Sequence, residues 1–251
     1  MKIGVLGLGL IGGSIFKNLS AQGFDVTGVS ASQTGENITS DWNVLKFCDV
    51  VFVCTAMNKC IEALDKLEEI LPSNTVVTDV CSLKSFVCKK ARHFKFIPSH
   101  PMAGTEKKGF ENSFAELFKN AKWVLTPVFG DDGIDVLSDL IYKMGAETLI
   151  TTPEKHDEAA ALISHMPLIV AQALFMTSED NELALKMASS GFRDMTRLAM
   201  TNEEMANDMF NLNAKNIEFA LLKLYKSIGE LTHENYEGKI KQIKSKRSKM
   251  F

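Results

Sequence analysis

Residues 1–14, MKIGVLGLGLIGGS, contain the pattern that decides the fold. The aliphatic run Lys2 to Leu6 predicts one buried strand, and Ser14 to Leu19 continues as a helix. The glycines between them follow the G-x-G-x-x-G spacing, which permits a tight turn and a close approach of a pyrophosphate to the backbone. After a strand and before a helix, this spacing predicts a dinucleotide site rather than a glycine-rich turn that serves only packing. The expected phosphate-binding residues are Gly7, Gly9, Leu10, Ile11 and Gly12.

The composition is that of an ordinary globular protein with room for two domains. The chain has 251 residues, of which 45% are hydrophobic and 24% charged, and its formal net charge is −3. This charge gives no reason to expect nucleic acid as a partner. From the sequence we expect no apolar run long enough to span a membrane and no secretory signal at the N-terminus. We therefore expect no membrane partner and a cytoplasmic location. The five cysteines lack a C-x-x-C pair, which favours reduced thiols and no metal.

Strand and helix signals alternate along residues 1–151. The continuously apolar run Val50 to Cys54 is typical of a parallel strand that is buried on both faces. Amphipathic segments such as Asn58 to Leu71 supply the helices between them. We therefore predict an α/β N-terminal domain with a Rossmann-like doubly wound sheet. Its further strands are Asp25 to Val29, Val50 to Cys54, Thr75 to Asp79, Phe94 to Pro98, Lys122 to Thr126 and Glu147 to Thr151.

The end of the second strand bears on the choice of cofactor. Dinucleotide folds place here the residue that meets the adenosine ribose, and folds that bind NAD usually have Asp or Glu. This chain has Ser30 followed by Ala-Ser-Gln-Thr, with neither a carboxylate nor a cation. We expect NADP or NAD, with NADP slightly favoured. The crossover from Ser30 to Val50 leaves room only for a short helix, and Thr55 should face the cofactor from the end of the next strand.

Residues 152–251 predict an all-helical domain for substrate binding and dimerisation. His156 to Met176 is apolar almost all round, which indicates a helix buried on every side, with a kink at Pro167. Further on, apolar residues alternate at spacings of four and three, the a/d pattern of a helix seam. We predict a homodimer formed through these helices; the alternative is a seam that packs within one chain. The seam residues are Phe210, Ala214, Ile217, Leu221, Leu224, Ile228 and Leu231.

The stretch SHPMAGTE, from Ser99 to Glu106, follows the fifth predicted strand and is the first candidate for chemistry. Open α/β sheets bind ligands at the carboxyl ends of their strands, so His100 should face the crevice where a nicotinamide would lie. Its unperturbed pKa of about 6.5 suits a general base, although a structural histidine is the alternative. Ser82 should lie on the same rim, where it could bond both substrate and His100 and also cap a helix from Leu83 to Lys90.

A second candidate is SSGFRDMTR, from Ser189 to Arg197. Its two arginines are four residues apart and share a face of a helix. Two cations beside a neutral cleft indicate recognition of a carboxylate, to which an arginine offers a two-pronged contact. Arg197 is assigned this role. Arg193 is also counted at the substrate site, with the alternative that it pairs with Asp194 or Asp157 and organises the domain.

A third candidate combines His156-Asp157 with Ser164-His165-Met166-Pro167. A histidine on so apolar a helix is more often a hydrogen-bonded core residue than a ligand. His156 is therefore expected in the core. Ser164 and His165 are kept as candidates for substrate binding.

Taken together, these motifs resemble the prephenate/arogenate dehydrogenase family of tyrosine biosynthesis. The resemblance runs from Met1 to about Leu231 in a single order: GLGLIGGS, VCT, TDVCSLK, SHPMAGTE, HDEAAALISHMP and SSGFRDMTR. It implies a Rossmann-like domain, an all-helical dimerisation domain and an active site between them. It also implies an oxidative decarboxylation, in which a cyclohexadienol gives a hydride to NAD(P)+, loses CO2 and becomes aromatic.

The resemblance also assigns roles to individual residues. His100 matches the catalytic histidine that takes the proton of the ring hydroxyl, and Ser82 matches the residue that bonds to this hydroxyl. Arg197 matches the arginine that holds the ring carboxylate. Thr105 and Glu106 match the loop beside the substrate.

Two questions of function stay open at this point. Leu168 stands where some prephenate-using members have a histidine, so the substrate is either prephenate, a keto acid, or arogenate, an amino acid. Outside this family, a β-hydroxyacid dehydrogenase would need a helical lysine, for which Lys215 is the nearest candidate. A nicotinamide-binding sensor would bind the cofactor without turnover.

Overall fold

A computed structural model describes residues 1–105, 107–233 and 236–250. Its first half is built on a six-stranded parallel sheet in the spatial order β3-β2-β1-β4-β5-β6. The strands are β1 (Lys2–Leu6), β2 (Asp25–Val29), β3 (Ile38–Thr39), β4 (Val50–Val53), β5 (Val76–Asp79) and β6 (Lys95–Phe96). The strand order reverses between β1 and β4, which is where a doubly wound sheet offers a crevice to a ligand. The predicted α/β fold is confirmed.

Both faces of this sheet are covered, as its apolar strands require. Along β4, Val50 and Phe52 belong to one buried cluster, with α1 (Leu10–Ala21) and α3 (Ile134–Lys143). The alternate residues Val51 and Val53 belong to a second cluster, with α2 (Met57–Glu68). Because successive side chains of a strand point to opposite faces, one strand supplies two cores and is held rigidly between them.

The single sheet predicted from the sequence is in fact two sheets. β7 (Ser99–Pro101), β8 (Lys122–Leu125) and β9 (Glu147–Ile150) form a separate three-stranded sheet, with β7 antiparallel to β8. The predicted strand Phe94 to Pro98 ends at Phe96, because Pro98 has no N–H with which to continue the ladder. His100 therefore lies within strand β7, opposite Val124, and not in a loop after a strand.

Two expected helices are replaced by tighter structure. The crossover from β2 to β4 forms the short strand β3, which pairs with β2, and then a 3₁₀ helix, Trp42–Phe47. This crossover is too short for an α-helix of ordinary length. The helix expected from Leu83 to Lys90 is only a 3₁₀ turn, Val87–Lys89.

The second half is helical, as predicted. Its helices are α4 (Pro153–Ala160), α5 (Met166–Ser178), α6 (Glu182–Met187), α7 (Ser190–Thr196), α8 (Glu203–His233) and α9 (Tyr236–Arg247). A π-helical turn, Ala161–His165, joins α4 to α5 directly before Pro167. The kink expected at this proline thus takes the form of a widened turn, which accommodates the missing N–H.

The apolar helix of this half is less buried than the sequence suggested. Ile163 and Met176 are exposed, so the expectation of burial on every side is wrong for the single chain. Through the π-helical turn, Pro153–Ser178 becomes one helix of 26 residues, and only 28% of its most apolar window is buried. By length and composition it could cross a membrane, contrary to the sequence-based expectation. A large uncovered apolar surface is also typical of a subunit interface.

The predicted seam of α8 is divided in the same way. Of the seam residues, Ile217 is buried against Ala161 of the π-helical turn and Leu221 packs against the same cluster, so this part packs within the chain. Phe210 and Ile228 are about half exposed. The middle of the seam therefore follows the alternative of packing within the chain. Phe210 and Ile228 remain available for contact with another surface.

Candidate active site

The loop between β1 and α1 is shaped as a dinucleotide requires. Gly7 has a φ of 93°, and a Cβ added at Gly12 would lie 1.9 Å from the carbonyl oxygen of Gly7. By contrast, nothing lies within 4 Å of a Cβ added at Gly9. Close packing therefore fixes Gly7 and Gly12, while Gly9 leaves open space at the N-terminus of α1. The N–H groups of a helix start favour phosphate in such a space.

A cleft of about 760 Å³ lies beside this loop, between the carboxyl ends of β1, β4 and β5 and the helical half. Gly9, Leu10, Ile11 and Thr55 line it, as the sequence predicts. The buried Oγ1 of Thr55 has no hydrogen-bond partner in the described part of the chain. Since buried hydroxyls are normally bonded, this orphaned group indicates a polar ligand in the cleft. The residues present thus fit a nicotinamide dinucleotide.

A buried polar frame holds the strand that carries His100. The hydroxyl of Ser99 accepts a hydrogen bond from Nε1 of Trp123 at 2.9 Å and donates to the carbonyl oxygen of Asp79 at 2.7 Å. The fully buried Lys84 donates from Nζ to the Asp79 carboxylate and to the carbonyl oxygen of Ser99. Ser99, the residue before His100, is therefore fixed to the end of β5.

His100 belongs to a chain of hydrogen bonds that crosses from one half of the molecule to the other. Its Nδ1 lies 2.9 Å from Nε2 of His156, and Nδ1 of His156 lies 2.8 Å from Oδ1 of Asp157. The Asp157 carboxylate also accepts hydrogen bonds from the backbone N–H groups of Lys84 at 2.8 Å and Ser85 at 2.9 Å. The start of α4 is thereby fixed to the loop after β5, and both His156 and Asp157 are buried.

This chain of bonds assigns a tautomer to each imidazole. An ionised carboxylate only accepts, so His156 donates from Nδ1 to Asp157, and in its neutral form it has no proton on Nε2. Nε2 of His156 must then accept, so His100 donates from Nδ1. His100 is left with an unprotonated Nε2, and it lines the cleft. The arrangement offers the cleft a basic nitrogen.

The surroundings keep His100 neutral and Asp157 ionised. Burial lowers the pKa of His100 well below its usual value, and the neighbouring His156 and Lys84 lower it further. For Asp157, burial alone would raise the pKa, but hydrogen bonds from His156, Ser85 and Lys84 outweigh it and the pKa is lowered. An uncharged imidazole backed by a carboxylate is the state required to accept a proton.

Residues from both halves meet in the cleft. His100, Ser82 and Thr105 come from the first half, and Ser164 and Arg197 from the helical half. Among the described contacts, no hydrogen bond joins Ser82 to His100, which is bonded to His156 instead. Arg197 starts the 3₁₀ turn after α7, and in the described part of the chain no carboxylate pairs with its guanidinium. It is therefore available to an anionic ligand.

Other predicted residues lie outside the cleft. The Arg193 side chain is 80% exposed and its Nε lies 3.7 Å from Oδ1 of Asp194, which matches the alternative given for it. His165 lines a neighbouring cavity of about 150 Å³. Lys215, the candidate of the β-hydroxyacid alternative, is exposed and does not line the cleft. Glu106 lies outside the described residues.

Ser30 closes a turn at the end of β2. Its hydroxyl accepts hydrogen bonds from the N–H groups of Ser32 at 3.3 Å and Gln33 at 3.1 Å. These two N–H groups are therefore already used. The Ser30 hydroxyl proton remains available to a ligand, because accepting two bonds does not consume it.

The sequence reasoning missed the part that His156 and Asp157 play. The burial of His156 agrees with its assignment to the core, but its bond to His100 makes it part of the site. The adjacent His-Asp pair was visible in the sequence. What was not visible was that the loop after β5 would bond to Asp157 and bring α4 beside β7.

Three potential metal ligands, Cys60, Asp79 and Cys81, lie within 4.8 Å of one another and are buried. The Asp79 carboxylate already accepts bonds from the Cys81 N–H and from the Lys84 ammonium. The hydrogen bond with Cys60 and burial raise the pKa of the Cys81 thiol well above its usual value. A protonated thiol is a poor ligand, and the ammonium supplies the cation that this carboxylate needs.

The fold and the cleft define a class of protein: a dinucleotide-binding protein with a Rossmann-like half and a helical half. Comparison with known families makes this more specific. Residues 22–150 match the model of the prephenate dehydrogenase nucleotide-binding domain, and residues 152–244 match that of the prephenate dehydrogenase dimerization domain. The chain belongs to the prephenate dehydrogenase family. The resemblance inferred from the motifs is confirmed.

Individual relatives agree with this assignment. The prephenate dehydrogenase of Bacillus subtilis is 31% identical over 236 residues, which cover 84% of this chain but 64% of that enzyme. The crystal structure of the Synechocystis arogenate dehydrogenase has a TM-score of 0.86 at 30% identity and covers all of both chains. The A. aeolicus prephenate dehydrogenase in complex with hydroxyphenyl propionate and NAD+ also has a TM-score of 0.86, at 27% identity, covering 100% of this chain and 98% of that one.

Proposed function

We propose that the protein is a prephenate or arogenate dehydrogenase that couples oxidation of a cyclohexadienol to its decarboxylation. One observation carries this proposal: His100 of β7 and Arg197 of the helical half line a single cleft beside the glycine loop. The family and the activities named for its relatives support the same reaction.

The reaction separates a hydride, a proton and CO2. The ring carbon that bears the hydroxyl gives up a hydride, and the bound NAD(P)+ supplies the acceptor. His100 takes the hydroxyl proton at Nε2 while its Nδ1–H stays bonded to His156. Loss of CO2 then returns an electron pair to the ring, which becomes aromatic, and the ring oxygen takes the proton back. The protein chiefly orients the ring and stabilises the transient imidazolium, through His156 and Asp157.

Arg197 is proposed to hold the ring carboxylate. It has no carboxylate partner among the described residues, and a guanidinium can bond both oxygens of one carboxylate. Ser82 and Thr105 are proposed to bond to the ring hydroxyl and the neighbouring part of the substrate. Ser164 is proposed to line the ring from the helical side. These side chains surround one cleft, which supports their assignment to a single ligand.

We propose NADP as the slightly favoured cofactor over NAD. Residues 30–34 contain no carboxylate that would repel a 2′-phosphate, and Ser30 keeps a hydroxyl proton to donate. They contain no cation to bind the phosphate either, so we expect the discrimination to be small. Turnover with each cofactor measures this directly.

We propose that the working form is a cytosolic homodimer, with the boundary between its two domains at residues 151 and 152. The match of the helical half to a dimerization domain supports the dimer, as does the exposed apolar surface at Ile163 and Met176. Five free thiols fit a reducing compartment. The boundary falls between the end of β9 and the start of α4.

A steady-state assay of cofactor reduction tests the proposal, with prephenate and with arogenate and with each nicotinamide cofactor. We expect turnover of at least one substrate, with one CO2 released for each cofactor reduced, and loss of turnover in a His100→Asn variant. Cofactor binding without reduction by either substrate would instead support the sensor, and would overturn the proposed function.

A further inference from the structure

Asn213 interrupts the long helix α8 and is itself buried. Its φ of −125° and ψ of 19° are not helical, and its side chain is 5% exposed. Its Nδ2 lies 2.9 Å from the carbonyl oxygen of Asp157 and 3.1 Å from Nδ1 of His165. Its Oδ1 accepts a hydrogen bond from Nδ2 of Asn216 at 2.8 Å. One amide thus joins the residue that ends the His100 chain to a second histidine.

These contacts determine which nitrogen of His165 carries its proton. A carbonyl oxygen can only accept, so the Asn213 atom that faces Asp157 must be the amide nitrogen. The same nitrogen faces Nδ1 of His165. Nδ1 must therefore accept, and the proton of the neutral imidazole is on Nε2.

Nε2 of His165 is bonded to no other residue in the part of the chain that the structure describes. The imidazole is 2% exposed and lines the cavity of about 150 Å³ beside the cleft. Leu168 and Met209 line both spaces, so the cavity adjoins the cleft at these two side chains. The residues around the smaller cavity include the amides of Gln172 and Asn207 but no charged side chain. Such a cavity suits an oxygen that accepts a hydrogen bond.

We propose that Asn213 is a positioning residue, which fixes His165 as a neutral Nε2–H donor to an oxygen of the substrate at the cavity beside the cleft. The substrate part of this inference rests on the proposed function, whereas the tautomer of His165 does not depend on it. The helix break at Asn213 is then explained, because a regular helix would not bring this amide to both acceptors.

The groups around His165 keep it uncharged. Burial is the main reason that the pKa of His165 is lowered to about 4. The carboxylate of Asp157 raises this pKa and His156 lowers it further. From α8, the amide of Asn213 bonds to Nδ1 of His165, and the amides of Asn207 and Gln172 line the cavity from α8 and α5; none of these groups titrates. A carboxylate at position 213 would reverse this balance, since it would accept a hydrogen bond from Nδ1–H and its charge would favour the imidazolium.

The test compares Asn213→Asp with Asn211→Asp, the same change at an exposed position of the same helix. Nitrogen NMR of the imidazoles, with the signal identified by its loss in His165→Gln, reports the tautomer and the titration. In the wild type we expect the Nε2–H tautomer. In Asn213→Asp we expect protonation of Nδ1 and a titration of His165 at least two pH units higher, with Asn211→Asp unchanged.

The kinetics provide a second readout that a merely structural role would not produce. In Asn213→Asp above the new pKa, Nε2 becomes an acceptor and opposes a substrate oxygen, so KM should rise about tenfold. Below that pKa the imidazolium donates again and KM should return towards the wild-type value, while kcat changes little. The proposal is overturned by a wild-type Nδ1–H tautomer, which is decisive even if the variant does not fold. It is also overturned by a folded variant in which neither titration nor KM changes. If the wild type turns over neither substrate, the proposed function fails while the tautomer result still decides the role of Asn213.

Discussion

Replacement of Asp157 by asparagine tests the chain that leads from the helical half to His100. The change keeps the shape of the side chain but removes one negative charge. Oδ1 accepts from His156 and from the Lys84 N–H, so an amide oxygen at this place would preserve both bonds and the tautomer of His156. The amide nitrogen would then face the N–H of Ser85, which now donates to Oδ2. The main expected loss is electrostatic, with a smaller loss of stability.

The magnitude follows from the geometry. Two hydrogen bonds of 2.9 and 2.8 Å and the width of one imidazole separate the His100 ring from the carboxylate. Two unit charges about 8 Å apart at an effective dielectric constant of about 20 interact by about 2 kcal/mol. The imidazolium forms only during the reaction, so this energy is lost from the transition state and kcat should fall about 30-fold. In the variant, the amide nitrogen at position 157 and the N–H of Ser85 would face each other as two donors, which should lower the free energy of unfolding by about 1–3 kcal/mol.

The assay is the rate of cofactor reduction at saturating substrate, together with thermal unfolding. Asp180→Asn, at an exposed position of the same half, is the matched control and should behave as wild type. Because Asp157 raises the pKa of His100, its removal should also move the acid limb of the pH profile to lower pH. A folded Asp157→Asn variant with kcat within threefold of wild type, or with its loss confined to KM, would refute the reasoning.

Three further predictions concern the site and its stability. His100→Asn should lower mainly kcat and Arg197→Ala should raise mainly KM, and steady-state kinetics showing the reverse would mean that the roles are exchanged. Gly12→Ala should weaken cofactor binding at least tenfold and lower stability by about 1–3 kcal/mol, since its Cβ would lie 1.9 Å from a carbonyl oxygen. Gly229→Ala, inside α8 with nothing within 4 Å of the added Cβ, should leave cofactor binding unchanged and should not lower stability, as titration calorimetry and thermal unfolding of both variants would show. His165 is protonated in the unfolded chain below about pH 6.5 but in the folded chain only near 4, so acid favours unfolding. Between pH 7 and 5 this histidine alone should cost about 2 kcal/mol of unfolding free energy, and denaturant titrations in which His165→Gln shows the same pH slope as wild type would contradict it.

The parts that could be predicted from the sequence are those fixed by local pattern. The glycine spacing at Gly7 to Gly12 and the apolar strands Asp25 to Val29 and Val50 to Val53 specify their own geometry, because few backbone conformations satisfy them. His100 and Arg197 were found because each lies in a short motif of unusual composition. The family follows from several such motifs in one order.

The remainder depended on contacts between distant residues. The helix break at Asn213 allows hydrogen bonds to His165 and Asp157, which lie 48 and 56 positions away in the sequence. No local sequence pattern predicts such contacts. The second sheet arises because Pro98 ends one ladder and β7 pairs with β8. The partial exposure of residues 156–176 could not be inferred from their composition, since a core helix and a helix covered by another subunit have the same apolar pattern.

The most direct test of the account is a crystal structure with the oxidised cofactor and an unreactive ring analogue that keeps both the ring hydroxyl and the ring carboxylate. We expect one ring against the nicotinamide, with its hydroxyl within hydrogen-bond distance of Nε2 of His100 and its carboxylate bonded to the Arg197 guanidinium. A ring bound away from the nicotinamide, or contacts of these two side chains with different molecules, would contradict the account.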